Sequence, residues 1–312
     1  MISFRFHIVS IVAVFLALAI GIVIGSTVID QTIVDSLEDR VDDVRGNLRD
    51  RQAENDALNE QVDELEAFVG DSAATAVDGR LEDVVTVLVT DRGVDGGPVD
   101  RTVELLAEAG SAVRGILTLD GSWALDDPEE REALADVVDL EADEPVEVIQ
   151  ERAASLVVAD LSSTVEVVGD GTGALDEVAE LGLVDFEVMS EEIASRSSDV
   201  MFVVVSGPES DLAPSTGHTI PFATSAAEAS GGVVLAEVWV EQEDGPDRAD
   251  SLAGVLGDPE LSAQITTVDD LDLSFGPTTV VLALAAVQAG DIGHYGVGDI
   301  ADLAAPLPPE EQ

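Results

Sequence analysis

The side chains that most often carry chemistry are few in this sequence and widely spaced. Histidine occurs at His7, His218 and His294, cysteine nowhere, and methionine beyond Met1 at Met189 and Met201. Soft copper ions favour Cys, Met and His donors, and these residues form no copper site by themselves; Met201 stands in an apolar run and reads as core. The absence of Cys also removes disulfides, thiolate zinc sites and thiol catalysis. Neither Ser206-Gly207 nor Ser225 lies in a G-x-S-x-G nucleophile elbow, and the histidines are too scattered to supply a base. Carboxylate pairs such as Asp126-Asp127 and Asp269-Asp270 read as solvated loops in a chain with 65 acids, and no EF-hand spacing orders them. Gly169-x-Gly171-x-x-Ala174 fits the dinucleotide-binding fingerprint, with Val165 to Val168 as the strand before it and a helix after. No cation is close by, however, and Asp170, Asp176 and Glu177 would repel a pyrophosphate. A turn is the better reading. The sequence predicts no enzyme and no cofactor.

Charge narrows the partners. The 312 residues carry 13 Lys+Arg, all of them Arg, against 65 Asp+Glu, a formal charge of −52. Phosphate recognition needs clustered cations, so a general nucleic-acid binder is excluded, as is a polybasic membrane patch. A hydrophobic content of 46% excludes a wholly disordered acidic chain. A carboxylate-rich surface with few cations reads as adaptation to a salty environment.

The elements that would position these residues begin with a greasy segment. Residues 1–7 form a stub carrying Arg5, and Ile8 to Ile29 is long enough to cross a bilayer as an uncleaved anchor. Its exit lacks an Ala-x-Ala cleavage site. With Arg5 before the span and Asp30, Asp35, Glu38 and Asp39 after it, the positive-inside rule places the N-terminus in the cytoplasm and the rest outside. Ala13, Ala17, Gly21 and Gly25 make one smooth stripe on which two such helices can approach closely.

From residue 30 to 70 the apolar residues follow heptad spacing. Val34, Val41, Leu48, Asn55, Val62 and Val69 occupy a positions, and Leu37, Val44, Arg51, Leu58 and Leu65 occupy d positions. Val at a, Leu at d and one Asn at a favour a parallel two-stranded coiled coil, homodimeric or heterodimeric. The alternative is one amphipathic helix packed on its own domain. Gly70-Asp71-Ser72-Ala73-Ala74 opens a linker over residues 71–80. From residue 81 to 300, strands alternate with helices, which predicts an α/β domain with a Rossmann-like, mainly parallel sheet of four or five strands. Strands are expected at Val84–Thr90, Ala112–Leu119, Met201–Ser206, Val233–Val240 and Ile265–Val268, with Gly254 and Gly257 breaking the segment before the last. Residues 301–312, with three prolines, read as a disordered tail.

The opening string MISFRFHIVS, followed by Ala13 to Gly21 and Gly25-Ser26, resembles the actinobacterial MctB copper transporter family. Thr267-Val268-Asp269 and Gly293-His294-Tyr295-Gly296-Val297-Gly298 resemble that family's closing motifs. The resemblance implies an N-terminal anchor, a coiled coil, an α/β domain and a role in copper transport or efflux, with copper as the transported ion. It also implies a pore in the outer envelope. Related proteins act in a cell-separation complex, as coiled-coil partners of a second membrane protein controlling peptidoglycan hydrolysis. Against a pore, aromatic content is 4% and no alternating strands of the barrel type occur. His294 and Tyr295 are expected to pack the last helix.

Overall fold

The computed structural model describes residues 4–163, 173–189, 200–207, 218–229, 231–238, 240–242, 245–247, 251–297, 301 and 303–306. The chain forms two units, Met1–Leu65 and Glu66–Gln312, each described by itself. No proline precedes Pro98, and α1 (Phe4–Val77) runs 74 residues. Within the first unit, Phe4–Gly25 is long and apolar enough to span a bilayer. That window starts and ends four residues earlier than the sequence suggested.

The expected helix stop at Gly70 does not occur. A helical glycine costs about 1 kcal/mol, and the next turns bury Ala73 and Val77 in the second unit. Burying one valine side chain contributes roughly 1.5–3 kcal/mol, so the helix continues. It ends before Gly79, whose φ of +67° suits glycine.

The second unit continues with β1 (Val85–Asp91), α2 (Gly96–Glu108) and β2 (Ala112–Leu119), then a 3-10 turn at Gly121–Ala124. α3 (Pro128–Val137), α4 (Val146–Ser162), α5 (Ala174–Glu180), β3 (Val184–Val188), β4 (Val200–Ser206) and α6 (Ile220–Ala229) follow. The chain closes with β5 (Val233–Glu237), β6 (Val240–Gln242), β7 (Gly245–Asp247), α7 (Ser251–Gly257), α8 (Pro259–Ser262), β8 (Thr266–Val268), α9 (Gly276–Gln288) and β9 (His294–Tyr295). Several acids start helices: the carboxylates of Asp95, Asp127 and Asp258 accept from the N–H of Gly97 (3.1 Å), Glu129 (2.8 Å) and Glu260 (2.8 Å).

The main sheet has seven strands in the order β3-β2-β1-β4-β5-β8-β9, not the four or five expected. All its pairs are parallel except β2–β3. Beyond the antiparallel edge, the order is that of a doubly wound sheet whose direction of growth switches between β1 and β4. β3 escapes sequence reading because Asp185 and Glu187 interrupt its apolar pattern, as an edge strand permits. Gly115 makes its pairing possible, since a Cβ there would meet the Phe186 ring and the Glu187 carbonyl. β9 is two residues long, too short to leave a pattern. Gly254 does not break the chain. It lies inside α7, where a Cβ would come within 2.8 Å of Ile220 Cδ1, so glycine lets α7 approach α6.

Side chains alternate between two apolar layers. Val85, Val87 and Val89 of β1, with Phe202 and Val204 of β4, face α3 to α7. Leu88, Met201, Val203 and Val205 face α2, α9 and the end of α1, which contributes Ala73 and Val77. Met201 is core, as its apolar run predicted. In the full-length protein, Phe202→Ala is expected to lower unfolding free energy by about 3–5 kcal/mol, whereas truncating exposed Met189 to Ala changes it by less than about 0.5 kcal/mol. Urea unfolding followed by circular dichroism measures both.

Candidate functional site

In the first unit the sequence-derived residues lie along one helix. Ala13, Ala17, Gly21 and Gly25 fall within the apolar window, and a Cβ on either glycine would meet nothing within 4 Å. Leu37, Val41, Val44, Leu48, Leu58, Val62 and Leu65 are 44–63% exposed, an apolar stripe open along this unit's surface. The side chain of Val34 lies outside the described residues. Asn55 accepts from the Asn59 amide at 3.0 Å on the next turn. The stripe's last member behaves differently. Val69 is partly buried and lines a cavity of ≈ 460 Å³ in the second unit with Phe68, Ala73, Phe275, Leu282 and Val297. Beyond Val69 the spacing changes to four and four, through Ala73 and Val77, and these residues serve the second unit's own core.

The closing motifs meet in space. β8 and β9 pair in parallel, Thr267 opposite His294 and Val268 opposite Tyr295. Thr267 N–H donates to the Gly293 carbonyl (3.1 Å) and Asp269 N–H to the Tyr295 carbonyl (3.0 Å). Thr267 Oγ1 and His294 Nδ1 lie 3.0 Å apart. Thus His294 is a sheet residue, while Tyr295 packs in the layer of α9; burial there pushes its hydroxyl pKa up, with Asp291 adding to the shift. Asp269 and Asp270, expected in a solvated loop, are each 1% exposed. Their carboxylates accept the Val297 N–H, Asp269 Oδ1 at 3.1 Å and Asp270 Oδ2 closer still. A Cβ on Gly296, whose φ is +139°, would strike the Asp269 carboxylate. The chain beyond is tied in as well: Gly296 N–H donates to the Leu303 carbonyl at 2.9 Å, so the tail is held at least to Leu303. By contrast Asp127 is exposed and caps α3, as a loop acid should.

The carboxyl ends of the central strands hold a second polar group. Ser206 pairs in register with Glu237. One step beyond the Thr90–Val205 pair, the β1–β4 register sets Asp91 beside Ser206. The three share the parity of Val89, Val204 and Leu235, hence one face of the sheet. Nothing in the sequence marks this row, because 115 residues separate Asp91 from Ser206 and a further 31 separate Ser206 from Glu237.

His218 lies near α6, its Nδ1 3.3 Å from Gln150 Nε2, which also donates to the Trp123 carbonyl at 2.7 Å. An amide nitrogen requires an acceptor, which assigns the ring proton to Nε2. Desolvation pulls the His218 pKa down, opposed by Asp126. Residues 164–172, including the proposed Val165–Val168 strand and most of the Gly169–Ala174 fingerprint, lie outside the described residues. The helix that would face a pyrophosphate, α5, already has its Leu175 N–H bonded to Asp160 Oδ2 at 3.0 Å. Among the described residues, no three His, Cys, Asp or Glu side chains are grouped to hold a metal ion.

Comparison with known proteins covers nearly the whole chain. Residues 1–306 match the family described as "Copper transport outer membrane protein, MctB". Proteins named Copper transporter MctB from Mycobacterium bovis and Mycobacterium tuberculosis are each 28% identical over 314 residues, covering 96% of this chain and 97% of theirs.

Gly296→Ala should destabilise the full-length protein by about 2–4 kcal/mol, whereas Gly257→Ala, at a helical position with nothing near its Cβ, should leave stability unchanged or raise it by up to about 1 kcal/mol. Thermal unfolding reads the difference. For His218, the folded pKa lies below the ordinary 6.5, so the unfolded chain binds the proton first as pH falls. Its contribution is complete above that value and declines as pH drops below it. His218→Gln should flatten the stability slope between about pH 7 and 5.5; an unchanged slope assigns it to other groups.

Proposed function

The chain belongs to the MctB family, and from that premise we propose that it is a membrane-anchored envelope protein acting in copper transport or efflux, with copper as cargo. The observation that carries this reading is the family match along nearly the whole chain, anchor, helix and closing motifs included. The role is a non-catalytic one. Its N-terminus lies in the cytoplasm and its α/β unit outside, as Arg5 before the span and the acids after it favour.

Among the described residues one helix is long and apolar enough to span, and one helix cannot line a conduit, so transport through the bilayer needs several copies side by side. The helix offers two surfaces for that purpose. Gly21 and Gly25 permit close backbone approach within the bilayer. The exposed stripe from Leu37 to Leu65 suits a parallel coiled coil whose register is set by paired Asn55. In that pairing the Asn55 amide leaves Asn59 and bonds its counterpart. A second membrane protein in place of a second copy would use the same stripe.

The chain has no Cys, so single substitutions report contacts cleanly. Asn55→Cys is expected to give a disulfide-linked homodimer in oxidised membranes, and Ala57→Cys, on the outer side of the heptad, much less; equal cross-linking at both sites contradicts the register. A strain lacking the protein should grow less well than its parent in graded copper and recover when the full chain is restored. Unchanged copper tolerance overturns the transport reading.

A further inference from the structure

The buried acids of the second unit are concentrated at one edge. Among the described residues they are Asp91, Glu237, Asp269 and Asp270, every one at or just past the carboxyl end of a parallel strand. Asp269 and Asp270 hold the Val297 amide. Asp91 and Glu237 belong to another arrangement, one on each side of Ser206 on adjacent strands. Neighbouring strands lie about 4.8 Å apart, so the two acids start roughly 10 Å from each other with the serine midway. At that spacing two carboxylates reaching inward and the hydroxyl between them can meet around one small ion.

Ser206 supplies the independent observation. It is 1% exposed, and its Oγ makes no hydrogen bond. Leaving a buried hydroxyl without a partner costs about 1–3 kcal/mol, and the strand register aims this one between the two carboxylates. The row also sits beside the point where the sheet's direction of growth switches, at the strand carboxyl ends, the place where sheets of this order bind ligands. The helices covering that end, α6 and α7, are preceded or opened by buried hydroxyls, Thr219 and Ser251, 3.2 Å apart.

We propose that Asp91, Ser206 and Glu237 form a binding site for a hard divalent cation of the magnesium class. The donors are all oxygen and two are anionic, the set that suits Mg²⁺ and Mn²⁺; Mg²⁺ is commonly held by one or two carboxylates with water completing the octahedron. Soft copper(I) is disfavoured by the same donors. The site is therefore separate from the copper reading and stands or falls without it.

Mn²⁺, which reports its own binding by electron paramagnetic resonance, is the probe. Full-length protein in detergent, stripped with EDTA, is titrated in about 1 M KCl, where a Debye length near 3 Å suppresses diffuse binding to surface acids. The expected result is one Mn²⁺ per chain, displaced by Mg²⁺. Glu237→Gln should weaken it by at least about tenfold and Ser206→Ala severalfold, with Glu129→Gln on exposed α3 unchanged. Binding that disappears in high salt, or that survives both site substitutions, overturns the proposal. Should Glu237→Gln fail to fold, Ser206→Ala decides alone, since it removes one hydroxyl and leaves the strand ladder intact.

Discussion

A parallel sheet buries both faces, and its strands must be apolar on both sides wherever helices cover them. That constraint organises the second unit. Valine dominates β1 and β4 on alternate residues, and each alternate set finds its own layer. One layer has α3 to α7 to fill it. The other has α2 and α9, and the last turns of α1 complete it with Ala73 and Val77. A helix whose earlier part has the composition of a membrane span is thereby built into a folded core at its far end.

The same constraint explains where acids can be buried. With 65 acids in the chain, most must be hydrated, since an ionised carboxylate loses several kcal/mol on burial without compensation. Along β1 and β4 most flanking side chains are apolar. At the carboxyl ends, backbone amides, hydroxyls and turning chain are available. The Asp269-Asp270 pair shows the structural use of that edge: two carboxylates converge on one amide, and glycine at 296 leaves them room. His294 and Tyr295 gain their place from the same edge, as partners of β8.

The α1 stripe is a different case. Leu37, Val41, Val44, Leu48, Leu58, Val62 and Leu65 stay exposed, the surface on which the proposed pairing rests. Family membership carries the copper reading.

Much of this was legible in order of residues. The apolar N-terminal helix, the heptad-patterned helix after it and the strands β1, β2, β4, β5 and β8 follow from periodicity and composition. Such signals are local, and each is complete within a few turns. What depended on tertiary structure was non-local: β3 and β9, the continuation of α1 through Gly70, the burial of Asp269 and Asp270, and the alignment of Asp91, Ser206 and Glu237 in one row. Glycine at 70 weakens a helix by an amount that one buried valine exceeds, and no window around Gly70 contains the surface that Val77 will meet. Likewise, a serine and two acids become a group only when three strands align, because strand register, not sequence distance, decides which side chains share a face.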